Sequence, residues 1–105
     1  MILLITIDKN TFLKNYDALH NSIMTADKWW HHMNNTWLIK TDLTPTEWYN
    51  KLHHFITVKD RLMIIEVKAN YQGWLKQEAW DWLKERFEEE NTPFNPLNLW
   101  DNFNR

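Results

Sequence analysis

Asp8 closes the apolar run ILLITI, and a lone carboxylate in that position does one of two things. It caps the loop that follows, or it holds magnesium, a hard ion that takes oxygen ligands and keeps several of its waters. The histidines come as His20, His31–His32 and His53–His54. Neighbours on a regular strand point to opposite faces, so His31 and His32 cannot both ligate one ion from such a strand. No HExxH or His-x-His spacing occurs, which argues against zinc. Histidine titrates near neutrality, so His31 or His32 could act as a general base or meet phosphate; the plainer reading is a pair of hairpin histidines at the surface.

The tryptophans are the unusual part of the composition, eight in all. Aromatic side chains on an open sheet stack nucleobases, and the same side chains anchor cores and interfaces. Trp30 and Trp37 are the stacking candidates of a predicted hairpin. Trp80 shares a helical face with Leu83 and Phe87, which favours packing, whereas Trp82 falls off that face and is the one to expect at an interface. Arg61, flanked by Lys59 and Lys68, is a candidate phosphate contact, although Asp60 and Glu66 interleave with these cations. A single glycine argues against a phosphate-cradling loop or a dinucleotide fold, and no nucleophile or paired-carboxylate motif occurs.

The bulk numbers narrow the class. With 105 residues there is room for one core, and 44% hydrophobic residues are enough to build it. Without cysteine there are neither disulfides nor thiolate metal sites, which fits a reducing compartment, the cytoplasm. The opening MILLITIDKN has too short an apolar run for a membrane span and lacks the flanks of a signal peptide, so no membrane partner is expected. A formal net charge of −2 disfavours a surface built to wrap duplex DNA.

These side chains need elements to hold them, and hydrophobic periodicity supplies a plan. The β-branched run at 2–7 predicts a strand covered on both faces. Tyr16, Leu19, Ile23 and Met24 predict a helix over 15–26. Segments 29–33 and 36–41 flank Asn34–Asn35, residues that tolerate the left-handed backbone of a two-residue hairpin turn. Thr44-Pro45-Thr46-Glu47 reads as a capping box with proline in the first turn, opening a helix to about Phe55 that buries Trp48 and Leu52. A fourth strand follows over 61–68. Gly73 stands in a loop where a positive φ is expected of it. A third helix over 76–90 leads into a tail, 91–105, rich in aromatic residues. The order βαββαβ predicts an α+β, ferredoxin-like sandwich over residues 1–90, with the third helix and the tail added. Two helices on one face leave the other bare, so the third helix, the tail or a second copy should cover it, which makes a homodimer the expected state.

Several segments together carry a family resemblance: LLITID, NYDAL, WWHHMNNTWLIKT, KDRLMIIEV, NYQGWL and AWDWL. Over residues 1–83 the chain resembles the small bacterial and phage proteins labelled SinR-like, which are related in fold to the CRISPR adaptation-complex endoribonucleases and to VapD-type toxins. The resemblance implies a ferredoxin-like protomer and a symmetric dimer. In the nuclease branch an aspartate ending the first strand binds magnesium between subunits, and Asp8 stands at that position. Other members act as non-catalytic binders. Two functions are therefore expected. The first is a non-catalytic homodimeric module recognising nucleic acid, a nucleotide signal or a host protein in bacterial defence or phage counter-defence. The alternative is a magnesium-dependent endoribonuclease with Asp8 as ligand.

Overall fold

The computed structural model describes residues 1–12 and 15–90 of the chain. Its elements run β1 (Ile2–Asp8), α1 (Asp17–Ile23), β2 (Lys28–Met33), β3 (Thr36–Lys40), α2 (Pro45–Leu52), β4 (Arg61–Glu66) and α3 (Gln77–Glu90), with a 3-10 turn at His53–Phe55. The strands form one sheet in the order β2-β3-β1-β4, and every neighbouring pair is antiparallel. Among the described residues the fold is thus α+β, a four-stranded antiparallel sheet with three α-helices, and no helix is long and apolar enough to cross a membrane.

The placement of β1 follows from its composition. Leu3, Ile5 and Ile7 point to one face of the sheet and Ile2 and Leu4 to the other, so a strand apolar at both parities belongs between two covered faces. On the first face, Trp37 and Ile39 of β3 join Leu3, Ile5 and Ile7 under Leu19 and Ile23 of α1 and Trp48 and Leu52 of α2. Each such side chain contributes about 1.5–3 kcal/mol on full burial. Helix α2 starts where the sequence says it must. Thr44 Oγ1 accepts the Glu47 N–H at 3.2 Å, the Glu47 carboxylate accepts the Thr44 N–H at 3.2 Å, and Pro45 takes the first position, where no N–H is needed. Trp48 donates its indole N–H to Thr41 Oγ1 at 2.9 Å, so its burial leaves no orphaned donor.

Helix α3 lies on the opposite face. Ala79, Leu83 and Phe87, four residues apart, pack on Ile2, Trp30 and Leu38, and the end of the helix is tied to β3 by Lys40–Glu89 at 2.6 Å. The third helix therefore lays its apolar face on its own sheet and does not offer it to a second copy. The tail, the other element expected to pair, lies outside the described residues.

Two local expectations are corrected. The β2–β3 turn does fall at Asn34–Asn35, between Met33 and Thr36, yet neither asparagine has a positive φ. The strands nonetheless pair directly beside the turn, Met33 with Thr36, and the register is irregular between Trp30 and Met33. Gly73 likewise has no positive φ. It lies in a connection with no regular structure between β4 and α3, and a Cβ there would meet the Trp80 ring at 3.5 Å, ordinary van der Waals contact.

Candidate functional site

The sheet face carrying α3 is covered at one end only. Beyond Ile2, the same face presents Leu4, Thr6 and Asp8 of β1, and the β1–β4 register sets Ile65 beside Leu4, Met63 beside Thr6 and Arg61 beside Asp8. Met63 is 50% and Ile65 42% exposed, and β4 is an edge strand. Thr6, Asp8, Asn35, Arg61 and Met63 line a shallow depression of about 380 Å³. Asp8 itself is exposed. It is a single carboxylate with an arginine as its cross-strand neighbour, and among the described residues no three acidic, histidine or cysteine side chains gather into a metal site. One copy of the chain on its own thus does not fit magnesium, which needs more oxygen donors and less positive charge beside it.

Asp60, next in sequence to Arg61, has a part that its charge alone does not suggest. Its side chain is buried, 6% exposed. One oxygen accepts the Asn10 N–H at 2.8 Å and the Tyr16 hydroxyl at 2.7 Å, and the other accepts the Thr57 N–H at 2.8 Å. The segment after β1 and the segment before β4 are thereby pinned to one carboxylate. Burial alone would raise the Asp60 pKa, but the bonds from Tyr16, Thr57 and Asn10 outweigh it and hold the carboxyl well below the usual range. The sequence signal was the Thr57-to-Asp60 spacing, which closes a turn through side chain and backbone together.

The histidine pair lies along edge strand β2. The His31 ring stacks on Trp37 with centroids 3.7 Å apart and planes 14° apart, and its Nε2 donates to the Asn34 carbonyl at 3.0 Å. His20 on α1 lies 5.5 Å from Trp37, and Lys9 Nζ sits 2.8 Å from His20 Nε2. An ammonium only donates, so that imidazole nitrogen accepts. Burial first, then Lys9 and His31, push the His20 pKa down. On the other face His32 meets the ring of Trp30 nearly edge-on at 4.9 Å, and Trp30 donates its N–H to the Ala79 carbonyl at 3.2 Å.

Trp30 and Trp37 are both buried, so neither leaves a ring face open for a ligand to stack on. Trp82 is half-buried on α3 with the Arg86 guanidinium 5.6 Å from its ring centre. Arg61 belongs to the Asp8 depression and is not brought together with His31 and His32. What His31 and His32 do share is a second depression of about 520 Å³ that wraps the edge of β2 and is completed by Trp74, Leu75 and Lys76. Trp74 is 97% exposed. It was one tryptophan among eight in the sequence; the NYQGWL segment offered no period by which to assign it to core or surface.

No protein-family model, no curated protein and no solved structure matches this chain.

Proposed function

We propose that this chain is a non-catalytic, homodimeric binding module of ferredoxin-like fold, of the SinR-like kind that residues 1–83 resemble. On this reading it works in the cytoplasm, recognising a nucleic acid, a nucleotide signal or a host protein in bacterial defence or phage counter-defence. The strand order β2-β3-β1-β4 with antiparallel neighbours, and the placing of α1 and α2 on one face, support the ferredoxin-like reading. The observation that carries the self-pairing is the bare half of the opposite face. Met63 and Ile65 stand exposed on β4, whose outer edge has unpaired backbone groups, and a second copy covers both by two-fold pairing there. Sedimentation equilibrium on the full chain tests this. The wild type is expected to be a dimer at micromolar concentration, and Ile65→Lys a monomer with an unchanged far-ultraviolet circular dichroism spectrum. A wild type that stays monomeric at high concentration refutes it.

One observation favours the second reading, a magnesium-dependent endoribonuclease. Asp8 stands exposed at the open end of the same face; β1 is one strand in from the β4 edge, so an ion shared by two copies requires them to meet face to face there and not edge to edge. Metal-dependent cleavage of RNA that Asp8→Ala abolishes would favour this reading over the module; equal cleavage by the variant would eliminate it.

A further inference from the structure

The depression at the β2 edge has a chemistry of its own. Its walls are an indole open to solvent on both faces, two imidazoles and an ammonium: Trp74, His31, His32 and Lys76. Trp30, Trp37 and Trp48 are buried and Trp29 is 44% exposed, whereas Trp74 is 97% exposed. With Leu75 beside it, the indole gives this edge an exposed ring surface next to polar and charged groups. The imidazoles are held in place from behind, His31 by its stack on Trp37 and its bond to Asn34, His32 by the edge of Trp30. The Nε2–H of His31 is spent on the Asn34 carbonyl, so the imidazole N–H offered to a ligand is that of His32. Among the described residues Lys76 makes no ion pair, so its charge is not neutralised by a neighbouring carboxylate. The volume, about 520 Å³, falls within the range of small-molecule sites.

We infer that this depression binds a nucleotide unit, the planar base lying on the Trp74 indole and the phosphate meeting Lys76 and the His32 imidazole. A flat π-face beside cationic and N–H donors matches a ring that carries a phosphate, and matches neither a purely apolar nor a cationic ligand. The adjacent histidines both line this site although they point to opposite faces, because it wraps the edge of the strand and does not lie on either face. The inference rests on the reading of the chain as a binding module; it does not depend on pairing through β4.

Isothermal titration of the full chain with AMP and, separately, with a short single-stranded oligoribonucleotide tests it. Saturable binding is expected, and the arm that binds tighter identifies a free nucleotide or a strand as the source of the unit. Trp74→Ala and Lys76→Glu, both at exposed positions, should each weaken binding roughly tenfold, as loss of one base stack or one phosphate contact does. Absence of saturable binding in both arms overturns the inference, and so does binding that neither variant weakens. Inorganic phosphate competing as well as AMP also overturns it, since the base would then contribute nothing. Repeating the titration on Ile65→Lys separates the two ideas: a monomer that still binds leaves the site standing and removes only the requirement for a dimer.

Discussion

Asp60→Ala should lower the stability of the protein by about 3 kcal/mol, as loss of a buried, fully bonded carboxylate does. The figure is worked from its partners. Two backbone N–H groups, of Asn10 and Thr57, donate to the carboxylate at 2.8 Å, and the Tyr16 hydroxyl donates at 2.7 Å. A hydrogen bond to a charged group contributes ~1.5–3 kcal/mol, so the two backbone bonds alone give roughly 3–6 kcal/mol before the cost of burying the charge is subtracted. Desolvation of a carboxylate that is 6% exposed offsets part of this, and the donors left behind in the variant are then partly satisfied by water. Urea unfolding followed by tryptophan emission reads the change. With a slope of about 1.5 kcal/mol per molar, the midpoint should fall by about 2 M with the slope unchanged. The pH dependence adds an independent readout. The folded pKa lies below the unfolded value of about 3.9, so this stability is fully present above the unfolded value and is lost as pH falls towards the folded one. Asp60→Asn should therefore flatten the fall in stability of the wild type between about pH 4 and pH 2. A loss below about 0.5 kcal/mol, the size of an ordinary surface substitution, would refute the reasoning that this carboxylate pins the two segments together.

Two further outcomes follow from the helices. Thr44→Ala removes the acceptor for the Glu47 N–H and should cost about 1 kcal/mol by the same unfolding assay, with Thr44→Ser restoring most of it. Leu83→Ala, in the centre of the α3 contact with Ile2, Trp30 and Leu38, should cost about 2–5 kcal/mol; a value under 1 kcal/mol would mean that α3 does not rest on the sheet as described.

Local chemistry was what the sequence displayed well. The threonine, proline and glutamate of the α2 capping box act within one turn and were legible without any tertiary contact. So was β1, because an apolar strand of both parities has only one home in a sheet. Failures came where a long-range contact overrode a local preference. Asn34–Asn35 predicted left-handed residues, but the turn closes without them, next to a register irregularity between Trp30 and Met33. Asp60 read as a charge diluting a basic cluster, because its partners Asn10 and Tyr16 are more than forty residues away in the chain. The β2-edge depression was half legible. His31 and His32 were visible as candidates, whereas Trp74 and Lys76 join them only because the connection after β4 crosses to the start of α3. The same folding buried Trp30 and Trp37, whose exposure no local pattern could decide.

The sheet separates two hydrophobic clusters, one beneath α1 and α2 and a smaller one beneath α3. In terms of local unfolding, this makes the protein a two-storey structure. The upper storey, α3 with the connection that carries Trp74, can lift away while the strands and the larger cluster remain intact, at a free energy below that of global unfolding. Amides of α3 would then exchange with solvent by a cheaper route than those of β1. A ligand bridging Trp74 and Lys76 on the upper storey to His32 on the lower would close that route, so occupation of the β2 edge and the breathing of the third helix are two readings of one equilibrium.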